Sequence, residues 1–363
     1  MEKLNILVFN WRCWFNPDMG GAEVFTKEVL KRWVQDGHKV TLFASRFKNS
    51  KREEVADGVR IEREGGKHTV YWKAKEYYNT FFSKEGYDVV IDEINTRPFL
   101  TPRFVNNGES IIALIHQLAR EYWFYETPFP INYFGYYFLE ERWLKNYRMF
   151  PTVTVSESSR KDLVDLGFKE VFVVGEGLNF KPLERLEKKE THPVIVFAGR
   201  LKKAKRPNHA ITAFKIVRSM VPNAELWIIG DGYLGGKLME IACEGVRFFG
   251  SVSDEKRKEL VKKAWVLVNP SVREGFGLNV VEANALGVPC VAYDVAGLRD
   301  AVINNETGLL VKSGDIEALG EAILQVLTSD SLRTRLSEKA LTYSRSFSWD
   351  KVADEFLNVI RAA

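Results

Sequence analysis

Short apolar runs recur along the first half of the chain, at residues 4–9, 39–44, 88–91, 111–115, 152–155 and 171–174. Runs of this length, rich in Val, Ile and Leu, suit strands buried on both faces. Between the first two, Val24, Phe25, Val29, Leu30, Trp33 and Val34 recur at helical spacing. Strand, helix and strand at this rhythm predict a mostly parallel sheet covered on both sides. The pattern breaks at residues 179–193 (NFKPLERLEKKETHP), polar and charged with prolines near both ends, which reads as a linker. It then restarts, with strands expected at 194–198, 226–229, 246–249, 265–268, 290–293 and 309–311. The expectation is an α/β protein of two similarly built Rossmann-like domains, 1–178 and 194–348. Ligands gather at the carboxyl ends of strands in such sheets, so two domains with those ends facing make a cleft.

Composition fits this picture. The chain has 363 residues, 45% hydrophobic and 28% charged, which argues for a soluble globular chain and against a disordered or fibrous one. No run of 18 apolar residues is present to span a bilayer. The opening MEKLNILVFNWR lacks the apolar core and cleavage site of a signal peptide. Cys13, Cys243 and Cys290 are odd in number and far apart, fitting neither a disulfide framework nor a metal knuckle. These features point to a reducing cytoplasm.

The net charge of +4 is too small to imply a nucleic-acid partner. Its distribution is uneven. Lys27, Lys31, Arg32, Lys39, Arg46, Lys48, Lys51 and Arg52 are opposed locally only by Glu28 and Asp36. This stretch is either a solvated face or a patch meeting an anionic surface. Residues 122–143 (YWFYETPFPINYFGYYFLEERW) hold 11 aromatics in 22 positions. Core packing of a helix–turn–helix insertion would explain them, and so would an amphipathic surface meeting lipid headgroups or a hydrophobic acceptor.

The strongest chemical signal is Glu274-Gly275-Phe276-Gly277-Leu278-Asn279-Val280-Val281-Glu282, which follows a strand and opens a helix. The glycines let backbone approach a ligand, and the new helix's amides and dipole suit a phosphate. Two carboxylates beside an anion site suit sugar hydroxyls better than the anion itself, although Glu282 could also merely solvate the helix. Gly199-Arg200-Leu201-Lys202-Lys203-Ala204-Lys205-Arg206 follows another strand and is placed to hold phosphate. Gly20-Gly21-Ala22-Glu23 opens the first helix, either as an anion cradle or as plain turn chemistry. His116 ends a strand, where it is either structural or functional. Gly230-Asp231-Gly232-Tyr233-Leu234-Gly235 fits a dinucleotide fingerprint, with Asp254 as the ribose acid, but it opens the second strand–helix unit of its domain. No Asp-x-Asp, GxSxG or GxxxxGK[ST] occurs, and no cluster has metal-ligand spacing.

With Glu274 and Glu282 in NPSVREGFGLNVVEANALGVPCVAYDVAGLRD, the chain resembles the retaining glycosyltransferases of family four. GGAE, LIHQ, TVSESSRKDL, FAGRLKKAK, IIGDG and ETGLLV agree in order across nearly the whole chain. The resemblance implies a GT-B fold, with residues 349–363 a helix crossing back to the first domain. It implies that Glu274, Phe276, Gly277 and Leu278 hold the donor sugar and β-phosphate and that Glu282 bonds the ribose. Arg200 and Lys205 would stabilise the leaving diphosphate. Gly20 and Gly21 would approach the phosphates, Gly230 would belong to the nucleotide-sugar site, and Val252 would hold the base through its backbone. His116 would contact the sugar or assist the developing charge. The implied donor is a UDP- or GDP-sugar, used without a metal or other cofactor. The acceptor would be a lipid-linked or other glycan at an anionic membrane surface, with a soluble glycoside or polysaccharide as the alternative; a silent nucleotide-sugar binder and an epimerase are further rivals. Two positions depart from the family: Arg206, where glycine is frequent, and Gly175-Glu176-Gly177-Leu178-Asn179, where Pro-Asn-Gly is frequent.

Overall fold

The computed structural model describes residues 2–363 as two compact units. The first takes in the chain up to Arg120, Tyr133–Gly177 and Ser348–Ala363; the second takes in Glu121–Asn132 and Leu178–Phe347. These bounds differ from the expected ones at residues 121–132, which come from the first half of the chain but pack with the second unit.

The first unit contains β1 (Asn5–Phe9), β2 (Lys39–Ala44), β3 (Glu53–Ala56), β4 (Val59–Arg63), β5 (Val89–Glu93), β6 (Ser110–Leu114), β7 (Thr152–Thr154) and β8 (Val171–Val173). They form one sheet in the order β3-β4-β2-β1-β5-β6-β7-β8, parallel except for the β3–β4 pair. The hairpin β3–β4 has no apolar run to announce it. Its signal is Asp57-Gly58, both at positive φ (50° and 79°), the pairing that a two-residue hairpin turn favours. The core on one face is aromatic: Phe9, Phe43, Tyr77, Phe82, Phe99 and Phe104 meet in edge and tilted contacts.

The final helix, Trp349–Ala362, belongs to this unit. It buries Trp349, Val352, Ala353, Phe356, Leu357 and Ile360, a single stripe at helical spacing. That stripe packs on the helix Gly21–Gln35. Trp33 Nε1 donates to Ala353 O (3.0 Å), Phe356 lies edge-on to Trp33 (5.1 Å) and Trp349 meets Phe25 (5.8 Å). Gly177 is required here by close approach: a Cβ would sit 2.4 Å from the Trp349 ring.

The second unit contains β9 (Val194–Ala198), β10 (Glu225–Ile229), β11 (Val246–Gly250), β12 (Val266–Asn269), β13 (Cys290–Tyr293) and β14 (Gly308–Val311). Its sheet is wholly parallel, in the order β11-β10-β9-β12-β13-β14. The helices Pro207–Met220 and Ile316–Thr328 turn Ile211, Phe214, Val217, Leu319, Ile323 and Val326 into its core. The expected linker is not loose. Leu183 N bonds Ala285 O (2.9 Å), and the Lys189 ammonium reaches the carbonyls of Lys262 and Leu286 (3.0 Å each). Burial pulls that ammonium's pKa down to about 7.

The basic stretch divides. Lys31 and Arg32 pair with Glu28 (2.5 and 2.7 Å), Arg32 also with Asp350, and Arg52 with Glu64 (3.3 Å). Of the exposed remainder, Lys39 opens β2, whereas Arg46, Lys48 and Lys51 follow its end. A six-residue strand of about 17 Å separates the two groups. The aromatic segment also divides. Trp123 is buried, while Tyr133, Phe134, Tyr137 and Phe138 are more than half exposed on the turns Ile131–Leu144.

Candidate functional site

In each sheet the strand order reverses at one point: between β1 and β5 in the first unit, and between β9 and β12 in the second. Loops leaving the carboxyl ends of such a strand pair diverge and open a crevice for a ligand. Gly20 and Gly21 in the first unit and Arg200, Lys205 and Glu274 in the second fall on these loops, whereas His116, Gly230 and Val252 follow β6, β10 and β11.

In the second unit, β9 runs into Gly199-Arg200-Leu201 and the tight turn Lys203–Lys205. β12 runs into Pro270, Ser271 and Glu274. The two loops meet through an ion pair. The Lys205 ammonium contacts both oxygens of Glu274, lying 2.5 Å from Oε2. Burial opposes the Lys205 charge, but the Glu274 carboxylate outweighs it and holds the pKa above the ordinary lysine range. The Lys202 ammonium lies instead over the Tyr122 ring (4.9 Å). Burial, with Lys205 and Arg200 nearby, pulls it down to about 8. Arg200 is exposed, and its charge is felt by both lysines.

Ser271 Oγ lies 2.7 Å from both Glu274 Oε1 and Asn269 Oδ1, so its proton can fix either. Glu274 N donates to Ala296 O (3.0 Å), and Gly297 (φ 81°) presses against the Glu274 carbonyl. A Cβ on Gly297 would lie 2.2 Å from that oxygen, so the loop's approach requires glycine there. The helix Leu278–Ala285 begins after Gly277 (φ 106°), with Phe276 anchored edge-on against Phe347 (5.6 Å). Its first internal donor is Val280 N, to Gly277 O; the amides of Leu278 and Asn279 precede it at the positive end of the dipole. Asn279 ties this end to β9 and β12, through Ala198 O (2.9 Å) and Asn269 Nδ2 (3.2 Å).

Glu282 faces Arg257, which reaches both its oxygens (3.1 Å to Oε1) and also Asp254 (3.3 Å). Each carboxylate beside the candidate anion site thus carries its own cation: Lys205 for Glu274 and Arg257 for Glu282. Glu282 is not the solvated helix residue considered from the sequence. Gly230 (φ 125°) follows β10 and donates to Gly250 O (2.8 Å), while Gly199 donates to Ile229 O (3.0 Å), stitching three loops together. Val252, two residues on, is half-buried before the Ser253-capped helix Asp254–Lys263.

The segment 121–126 lies over the basic loop. Glu126 Oε1 accepts Ala204 N (2.8 Å) and its Oε2 accepts the Tyr233 hydroxyl (3.0 Å), which in turn accepts Lys203 N (2.9 Å). Tyr125 Oη accepts Arg206 (2.6 Å), Tyr122 Oη donates to Arg273 O (3.2 Å), and Glu121 pairs with Arg273 (2.9 Å). The start of the aromatic segment is therefore packed against the candidate phosphate loop.

In the first unit, Gly20 N donates to Glu23 Oε2 (2.5 Å), so Glu23 ties down the glycine turn that opens the helix Gly21–Gln35. Glu23 is buried against Arg12 (2.9 Å). Burial raises its pKa, Arg12 opposes that, and Glu93 adds to it. His116, two residues beyond β6, is buried with Nε2 3.3 Å from Glu93 Oε1 and its ring edge-on to Phe25 (5.0 Å). Burial disfavours the imidazolium, but Glu93, and then Glu176 and Glu23, outweigh it and raise the pKa.

The sequence candidates left out Ser271, Arg257, Glu126, Arg12, Glu93 and Glu176. Glu93 lies two residues past the expected strand 88–91 and Ser271 three past 265–268, so nearness to a strand end was their signal. Nothing local marks the pairing of Arg257 with Glu282 or of Glu126 with Ala204, which are far apart in sequence. Among the described residues, no group of three His, Cys, Asp or Glu is arranged to hold a metal ion, and no helix is long and apolar enough to cross a membrane.

Comparison with known proteins agrees with this architecture. The chain is 30% identical over 231 residues to D-inositol 3-phosphate glycosyltransferase of a Nocardioides species, which takes in 56% of this chain and 50% of that protein. It spans about half the length of such curated relatives. Sucrose-phosphate synthase from Thermosynechococcus elongatus superposes with a TM-score of 0.80 at 19% identity, covering 99% of each chain. Anabaena HepE in complex with UDP-glucose superposes at 0.75 and 16% identity, over 99% of this chain and all of that one. These likenesses establish the GT-B fold expected from the sequence. Residues 19–181 match the family model for Glycosyltransferase Family 4 and residues 180–342 that for Glycosyl transferases group 1, so from its glycine turn to its last-but-one helix the chain belongs to the group 1 glycosyltransferases of family four.

Proposed function

We propose that the protein transfers a hexose from a UDP- or GDP-sugar to a lipid-linked or other glycan acceptor, with retention and without a metal ion. The observation that carries this reading is the join between the two loops at the second sheet's reversal point. There the Lys205–Glu274 pair stands beside Arg200 in the basic loop, and Glu274 lies just ahead of the amides that open the helix Leu278–Ala285. Lys205 and Arg200 would take the diphosphate, with the helix amides, and neutralise the charge that grows as the glycosidic bond breaks. Glu274 would then accept hydroxyls of the donor sugar, and Glu282, sharing itself with Arg257, those of the ribose. Glu274 is held by both Lys205 and Ser271, which suits it to positioning rather than to nucleophilic attack. Catalysis would rest on orientation and on charge stabilisation. HepE, a protein of the same fold, is recorded with UDP-glucose, which supports this donor class.

Calorimetric titration with UDP, GDP and ADP in the presence of EDTA tests the donor side. One nucleotide should bind, and Lys205→Ala and Arg200→Ala should each weaken it by about ten- to a hundredfold, the ~1.5–3 kcal/mol of a hydrogen bond to a charged group. Binding that requires a divalent cation, or that survives both substitutions, would overturn the assignment.

The acceptor reading rests on Tyr133, Phe134, Tyr137 and Phe138, exposed and paired ring to ring along one helical turn (6.1 and 5.7 Å). Such rings suit the boundary between headgroups and acyl chains. The protein should float with anionic liposomes at low salt, and Phe134→Ser/Phe138→Ser should not. Equal behaviour of the two would favour a soluble acceptor.

A further inference from the structure

The reversal point of the first sheet holds a second cluster. Glu93 is the last residue of β5, His116 follows β6, Glu176 follows β8, and Glu23 lies in the first turn of the helix that follows β1. All four side chains are buried, and Arg12 pairs with Glu23. Thr26 Oγ1 reaches Glu93 Oε2 (2.6 Å), leaving Oε1 to face His116 Nε2. Glu93 Oε1, His116 Nε2 and one oxygen of Glu176 are all enclosed without a well-formed hydrogen bond among the described residues.

Three carboxyl groups here face two groups able to carry positive charge. Isolated buried charge is costly, so the cluster approaches neutrality only if His116 is cationic and one carboxyl keeps its proton. Arg12 claims Glu23 and His116 claims Glu93. The proton therefore falls to Glu176.

Resting on the transferase reading above, we propose that Glu93 is a positioning residue that holds His116 as an imidazolium, with Glu176 keeping its proton beside the pair, so that His116 acts as a hydrogen-bond donor and not as a base. With Nε2 facing Glu93 Oε1, Nδ1 is the ring nitrogen left to donate. The direction of each titration agrees: His116 is raised, and burial lifts Glu176 to about 8, with Glu93 adding to it and His116 opposing. The elements packed around the ring contribute Glu23, Glu93 and Glu176, with Arg12 behind Glu23. The final helix contributes Trp349, which meets the same Phe25 ring that His116 does.

Nitrogen-detected NMR of histidine-labelled protein tests this without donor or acceptor. The chain has five histidines, and His116→Gln assigns its signal. His116 should be doubly protonated at pH 7, and Glu93→Gln should lower its midpoint by about 1–3 pH units, the effect of losing one adjacent opposite charge. The infrared spectrum should show a protonated-carboxyl band at pH 7 that Glu176→Gln removes. A neutral His116 at pH 7 in the unaltered protein would overturn the proposal even if Glu93→Gln failed to fold, and so would an unmoved midpoint. In turnover, a donor His116 requires activity to fall as pH rises through its midpoint, whereas a base requires it to rise. If no sugar nucleotide turns over while the NMR result holds, the transferase reading fails and the cluster stands.

Discussion

Arg206 shows how one residue can sit against its own backbone preference. It has φ 48° and ψ 46°, the left-handed region that disfavours side chains with a Cβ by about 1–2 kcal/mol. The family's frequent glycine at this position is explained by that conformation. Arginine offsets the strain with its side chain: bonds to Tyr125 Oη (2.6 Å) and Ser313 Oγ (3.1 Å), and stacking on Tyr125 and Tyr293. Arg206→Ala keeps the strain and loses the contacts, so it should destabilise the second unit by about 1–2 kcal/mol, whereas Arg206→Gly should recover most of that loss. Denaturant midpoints of the two variants decide; a glycine variant no more stable than the alanine one would remove the strain argument. The departure at Arg206 was visible in the sequence, but its compensation was not, because Tyr125, Tyr293 and Ser313 are distant along the chain.

At the scale of elements, what could be read in advance was what repeats. Strands such as β9 and β13 announced themselves as unbroken apolar runs, and the final helix as a stripe from Trp349 to Ile360. The β3–β4 hairpin did not, because Glu53-Glu54 and Arg60, Glu62 and Arg63 interrupt its apolar residues. Segment 121–126 was noticed for its rings alone. Its placement depends as much on Glu121 and Glu126, ordinary residues whose partners Arg273, Ala204 and Tyr233 no local rule could name. Likewise Glu274 and Lys205 were both legible as candidates, but their pairing was not. That pairing changes the chemistry open to the loops, since it supplies a cation to a carboxylate that stands beside the proposed phosphate site.

Across the whole molecule, buried acids give stability a direction in pH. Burial raises Asp92 to about 6 despite bonds from Tyr147, Phe99 and Thr101, and Glu176 to about 8. In the unfolded chain such groups titrate near ~4. Between those values the folded protein binds more protons than the unfolded one, so their contribution is fully present below about pH 4 and is lost as pH rises through 6 and then 8. Glu176→Gln keeps the neutral form at every pH. The variant should therefore gain on the unaltered protein steadily between pH 5 and pH 8 in urea unfolding of the first unit; a constant difference across that range would mean that Glu176 is already ionised when folded.

The return of the final helix to the first unit has a consequence for synthesis. Trp33 and Phe25 emerge from the ribosome early, but the stripe that covers them, Trp349 to Ile360, is made only after residues 178–347. The nascent first unit must wait with an uncovered aromatic face while the second unit, whose segment 178–347 is contiguous apart from the twelve residues 121–132 already made, can fold first. The order of completion on the ribosome is thus the reverse of the order of translation, and the interval is when Trp33 and Phe25 are open to chaperones or to a wrong partner.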